Sequence, residues 1–156
     1  MIAVRHAAFG DLDAVIALER AAFGASAWSR QVLENEFAEV GTSREFLVAF
    51  DVVSDGIPTT MVGHAVGRYV AETADVNRVA VLPARRRQGV ASLLLAALIG
   101  EADRRGCDHV LLEVAADNAG AIALYTGHGF ETIHRRPRYY DGVVDAVVMQ
   151  RRLGHE

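Results

Sequence analysis

The stretch from Gln88 to Gly106, QGVASLLLAALIGEADRRG, carries the strongest helical pattern in the chain. What flanks it constrains the fold. The strand pattern ADVNRVAVL leads in through Pro83, and a buried-strand pattern, DHVLLEVAA, follows. Gly106 is placed to end the helix, since glycine tolerates the left-handed conformation that closes helices. A strand-helix-strand unit of this kind belongs to a sheet with helices packed on it, not to a helical bundle.

The remaining elements follow from periodicity. IAVRHA reads as a short strand. GDLDAVIALERAAFG sets Leu12, Val15, Ile16, Leu18 and Phe23 at helical spacing between two glycines. SAWSRQVLENEFAEV predicts a second helix with Ser29 as its N-cap. EFLVAFDVV and MVGHAVGRYV read as strands around the turn chemistry of SDGIPTT. NAGAIALYTGHG predicts a short helix capped by Asn118, and FETIHRRP and VVDAVVMQRRL are closing strands joined by RYYDG. The order is β-α-α-β-β-β-α-β-α-β-β. It predicts an α+β (mixed α/β) fold rather than a doubly wound dinucleotide-binding sheet. The length of 156 residues fits one domain over 1–156.

Charge narrows the function classes. The net charge is −4 and the pI about 5.8, which argues against a general nucleic-acid binder. All 16 basic residues are arginine. Without lysine there is no Schiff-base chemistry and no P-loop lysine, so a bound phosphate has only backbone and arginine to hold it. The single cysteine, Cys107, excludes an internal disulfide and reads as a small core residue. The histidines at 6, 64, 109, 128, 134 and 155 show no ligand spacing, so no metal is expected. The sequence shows neither a leader pattern nor an apolar run near the ~20 residues that span a membrane, and the expected location is the cytoplasm.

Against this acidic background, RRRQG at 85–89 gathers positive charge where the long helix begins. A helix N-terminus presents unpaired N–H groups and the positive end of the dipole. Gly89 lets the backbone approach an anion, and the small Ala91 and Ser92 leave the first turn uncrowded. From physics alone, a phosphate cradle and a solvated, capped helix start are both open.

Arg86-Arg87-Gln88-Gly89-Val90-Ala91 resembles the Q/R-x-x-G-x-G/A signature of the GNAT N-acetyltransferases, and the element order resembles that family along nearly the whole chain. The blocks AWS, LLEVAADNAGAIALYTGHGF, RRPRYY and DAVVM are similar to its RimI-like branch, the protein N-terminal acetyltransferases. The resemblance implies a central mixed, mostly antiparallel sheet of about seven strands with four helices. It implies acetyl-CoA as the donor, with its pyrophosphate on residues 86–92, mostly through main-chain N–H groups of Arg86, Arg87, Gln88, Gly89, Val90, Ala91 and Ser92. It also implies main-chain contacts from Val79 and Val81 to the acetyl and pantetheine parts, and a contact from Asn118.

Acetyl transfer to an amine needs a proton acceptor and an acid for the departing thiolate. Glu113 is a lone carboxylate in an apolar strand. It is either a desolvated base with a raised pKa or a glutamate on the strand's solvent face. Tyr125 lies seven residues after Asn118, nearly two helical turns, and is either an acid or a core phenol. The resemblance implies that Glu113 is the general base, directly or through water, and that Tyr125 is the general acid at the coenzyme sulfur. Tyr139, Tyr140 and Arg138, in the closing loop, and Trp28 are candidate acceptor contacts, although Trp28 equally suits a staple between the first two helices. Arg78 stands where relatives often carry a smaller or neutral residue and is expected to reach the acceptor region and disfavour a cationic acceptor. The loop RYYDGVVDA is shorter than is usual.

The resemblance implies acetylation of a protein α-amine, such as the alanine N-terminus of a ribosomal protein, and direct attack is expected to leave no acetyl-enzyme. An α-amine is roughly 15% neutral at pH 7, against roughly 0.04% for a lysine. A small-molecule amine is the alternative acceptor, and a non-catalytic acyl-CoA-binding module the alternative class. Either a monomer or a homodimer is compatible.

Overall fold

The computed structural model describes residues 1–53, 55–140 and 142–154. Ser54, Asp141 and His155, which figure in the turn, loop and histidine readings above, lie outside them. Seven strands form one mixed sheet in the order β1-β2-β3-β4-β5-β7-β6. They are β1 (Ile2–His6), β2 (Arg44–Val52), β3 (Pro58–Val70), β4 (Thr73–Val81), β5 (His109–Ala115), β6 (Glu131–Tyr140) and β7 (Val144–Arg152). The helices are α1 (Leu12–Phe23), α2 (Arg30–Ala38), α3 (Val90–Arg104) and α4 (Ala119–Gly127). The α+β architecture expected from the sequence is therefore present. β1, β2 and β3 pair antiparallel in sequence. β4 and β5 are parallel, with Thr73–Asp75 opposite His109–Leu111, and β7 is antiparallel to both β5 and β6.

Two compact units make up the chain. The first comprises Met1–Arg68 with Asn77–Leu98. Its core joins Leu12, Val15, Ile16 and Leu18 of α1 to Leu33 of α2 and to Phe46, Val48, Met61 and Val66 of β2 and β3. The α1 residues are those whose spacing marked a helix, and a stripe at that spacing folds by burying one face. Ser29 caps α2, its hydroxyl accepting from the Val32 N–H at 3.2 Å.

Gly63 fixes where α3 starts. A Cβ at this position would lie 2.8 Å from Val90 Cγ1 and 3.0 Å from both the Ala80 carbonyl oxygen and Leu94 Cδ1. Only a residue without a side chain lets β3, β4 and the first turns of α3 approach so closely. Gly63→Ala is expected to cost about 1–3 kcal/mol by overpacking, read as a lowered urea midpoint at unchanged m-value.

The second unit comprises Tyr69–Val76 with Ile99–Glu156. Along β5, Val110, Leu112 and Val114 are buried while Glu113 is exposed, the alternation of a strand with one covered face. Asn118 caps α4, its Oδ1 accepting from the Ala121 N–H at 3.2 Å. Cys107 is fully buried, and burial pushes its thiol up, which suits packing and not nucleophilic chemistry. β6 differs from its expected bounds. Arg138, Tyr139 and Tyr140 belong to the strand and not to a loop, with an irregularity in register between Arg136 and Tyr140. Arg138 takes a left-handed φ of 50°, and its N–H donates to Asp145 Oδ1 at 2.9 Å. That side-chain acceptor lets pairing resume beyond the irregularity, at Tyr140 opposite Val144.

Candidate active site

In the first unit, the loop that enters α3 has the geometry of an anion cradle. Arg87 and Gly89 both adopt left-handed backbone, at φ 62° and 84°. The first helical bond runs from the Leu93 N–H to the Gly89 carbonyl at 3.0 Å, so the N–H groups of Val90 and Ala91 precede any intrahelical acceptor. A Cβ on Gly89 would meet nothing within 4 Å and would project into open space beside the helix start.

The three arginines divide their work. Arg85 pairs with Asp51 and donates from Nε to Gln88 Oε1 at 2.7 Å. Arg86 donates to the Ala22 carbonyl at 3.0 Å. These two side chains brace the loop, which leaves the main-chain N–H groups as the expected anion contacts. Arg87 is exposed and holds no side-chain partner among the described residues. On β4, Val79 is half-buried and Val81 buried.

Arg78 is also placed differently from expectation. Its Nε and Nη2 donate to the two carboxylate oxygens of Glu19 at 3.1 and 2.7 Å, a bidentate fork. The pair is neutral, so Arg78 presents no uncompensated charge with which to repel a cationic amine. Glu19, fully buried on α1, was not singled out by sequence reasoning. A charged residue at a buried helical position was the available signal. It also accepts from the Trp28 N–H at 2.9 Å and lies 2.6 Å from His64 Nε2.

Burial pushes the Glu19 carboxyl up, but the bonds from His64, Arg78 and the Trp28 amide outweigh it and hold the group at about 2 instead of 4.5. A folded-state value below the unfolded one stabilises the fold above about pH 4.5, and that stability is lost as pH falls toward 2. The size is roughly 3 kcal/mol. Urea midpoints at pH 6 and pH 3 are therefore expected to show a wide gap between the native chain and Glu19→Gln at the higher pH, and a narrower one at the lower.

In the second unit, Glu113 follows the second of its two readings, a glutamate on the exposed face of its strand. Strand alternation wins: the side chain is 31% exposed, and Oε1 lies 3.1 Å from Arg136 Nη2. Tyr125 is half-buried on α4, with its ring edge-on to Phe130 at 5.9 Å. Burial, together with nearby Tyr140, pushes its phenol above the ordinary range. The hydroxyl has no hydrogen-bond partner among the described residues. A phenol that keeps its proton and has none of its donor capacity committed is equipped to give a proton. Asn118 has its side chain engaged as the α4 cap. Tyr139 and Tyr140 stack edge to face at 5.3 Å, and Arg136 lies 5.5 Å over the Tyr139 ring. No cluster of three or more His, Cys, Asp or Glu side chains suited to a metal occurs among the described residues, and no helix there is long and apolar enough to cross a membrane.

Residues 12–130 match the model of the Acetyltransferase (GNAT) family. The chain is 37% identical over 142 residues, 89% of each partner, to the [ribosomal protein bS18]-alanine N-acetyltransferase of Escherichia coli K12. The crystal structure of the ribosomal-protein-S18-alanine N-acetyltransferase from Escherichia coli superposes with TM-score 0.86 at 30% identity, covering 100% of this chain and 96% of that one. Nourseothricin acetyltransferase superposes with TM-score 0.74 at 23% identity over 97% of this chain and 98% of that one, a likeness of fold alone.

Proposed function

The chain belongs to the Acetyltransferase (GNAT) family and takes acetyl-CoA as its acyl donor, and we propose that the acceptor is the α-amine of a protein N-terminus. One observation carries the acceptor reading: the likeness, along nearly the whole of both chains, to a bacterial enzyme named for a protein N-terminal alanine. An alanine N-terminus on a ribosomal protein is the acceptor this favours, and such a substrate sets the work in the cytoplasm. The family match spans residues from both units, which supports reading 1–156 as one domain.

The residues present fit the donor. The left-handed Arg87 and Gly89, the open space at Gly89 and the start of α3 suit a pyrophosphate, with Arg87 as the uncommitted cation. The main chain of Val79 and Val81 is assigned to the acetyl and pantetheine parts, and Asn118 remains a candidate contact. Bound acetyl-CoA supplies a thioester that an amine attacks directly. Glu113 accepts the proton that the amine sheds, directly or through water. Its contact with Arg136 Nη2, at 3.1 Å from Oε1, fixes where the carboxylate sits. Tyr125 donates its proton to the departing sulfur, a role that a phenol held protonated by burial fits.

One observation favours a small amine instead. The β6–β7 connection is short, with Tyr140 registered opposite Val144 and the Val143 N–H bonded to the Tyr140 carbonyl at 3.0 Å. A short connection gives little surface to grip a peptide. Thiol release from acetyl-CoA, measured with an alanine-initiated peptide, free amino acids, a polyamine and an aminoglycoside, separates the two. The expected result is the highest kcat/KM on the peptide. A metabolite that exceeds it overturns the peptide reading.

A further inference from the structure

The segment 24–29, between α1 and α2, is held from β4 by one side chain. Arg78 Nη2 donates to the Ser26 carbonyl at 3.1 Å as well as to Glu19. Its guanidinium lies 3.8 Å over the Phe23 ring and 4.9 Å from the Trp28 ring centre. Glu19, gripped by Arg78, takes the Trp28 amide in turn. The Arg78–Glu19 pair thus reaches both ends of the segment, a main-chain oxygen, a main-chain N–H and two aromatic faces. His64, behind Glu19, stacks on Phe46 at 5.4 Å, and its Nδ1 has no partner among the described residues. Arg78 immediately precedes Val79 on β4, the residue whose main chain is assigned above to the acetyl part of the donor.

We propose that Arg78 is a positioning residue that clamps segment 24–29 to β4 and so presents a preset wall, including Trp28, to the acceptor amine. The proposal rests on the acceptor reading given above. A wall fixed before binding leaves no ordering cost for the acceptor to meet, so releasing it weakens acceptor binding more than it slows chemistry. Lysine cannot replace the clamp. It keeps a positive charge opposite Glu19, but it has neither the planar fork nor the flat face that stacks on Phe23 and Trp28.

Trp28 is the chain's one tryptophan, so intrinsic fluorescence reads this segment directly. Arg78→Lys is expected to stay folded by circular dichroism and to raise acrylamide quenching of Trp28 about twofold as the cation–π contact is lost. The KM for the alanine-initiated peptide is expected to rise about tenfold, while kcat and the KM for acetyl-CoA stay within about twofold. Unaltered quenching overturns the clamp. Raised quenching with an unaltered peptide KM overturns the wall. If Arg78→Lys does not fold, Ser26→Pro and Trp28→Phe in the native background keep the test open: a peptide KM unaltered in both also overturns the wall. Turnover of the peptide by the native chain, measured first, tests the acceptor reading separately. Should it fail, Trp28 quenching still decides the clamp, and the KM comparison is made with the amine that the acceptor panel identifies.

Discussion

Glu113→Gln is expected to cut turnover at least about tenfold near neutral pH while leaving acetyl-CoA affinity within about twofold. The change is isosteric. It removes the proton acceptor and converts the Arg136 contact from an ion pair to a hydrogen bond between the guanidinium and a neutral amide. A partly exposed ion pair contributes only about 0–1 kcal/mol, so the fold should persist and the loss should fall on kcat. The expected factor is modest for a general base because an α-amine already holds a useful neutral fraction at pH 7. With a lysine acceptor the same substitution would cost more. Unchanged kcat in a folded variant, with acetyl-CoA bound normally, removes Glu113 from the mechanism.

Gly89→Val is expected to raise the Kd for acetyl-CoA by at least about tenfold, for two reasons that act together. Gly89 sits at φ 84°, where a β-branched residue is strained, and its side chain would occupy the open space beside the start of α3. Strain of this kind costs on the order of 1–3 kcal/mol. Isothermal titration with coenzyme A, alongside the melting temperature, separates the two effects. A lowered Tm with unchanged Kd would make Gly89 a backbone hinge and nothing more. A raised Kd at near-native Tm locates the pyrophosphate at this loop. Arg87→Ala should follow in the same direction with a smaller effect, because its side chain is uncommitted, whereas Arg85 and Arg86 are already spent on Asp51 and Ala22.

The elements were legible because their patterns are local. The stripe from Leu12 to Leu18, the glycine after α3 and the polar caps Ser29 and Asn118 each signal structure within one or two turns. The boundary of β6 was not legible. RYYDG follows a proline and reads as a loop, yet Asp145 on the neighbouring strand accepts the Arg138 N–H and lets pairing continue to Tyr140. No local signal reports a partner seven residues away. Side-chain commitments failed for the same reason. Arg78 looked like a free charge because its partner, Glu19, is far along the chain, and Glu19 looked like any polar residue on a helix. Glu113 carries two readings, desolvated or solvent-facing, because its neighbours in sequence are apolar. The sequence pattern could not say which strand face is covered, and burial then placed Val110, Leu112 and Val114 inside and Glu113 outside.

The central claim is that this chain acetylates a protein α-amine. The most direct measurement is tandem mass spectrometry of one reaction containing the protein, acetyl-CoA and two basic peptides. One peptide begins with free alanine. The other is blocked at its N-terminus and carries an internal lysine. The expected result is one added acetyl group on the alanine amine and none on the lysine. Acetyl on the lysine, or on neither peptide while coenzyme A binding is intact, would contradict the claim.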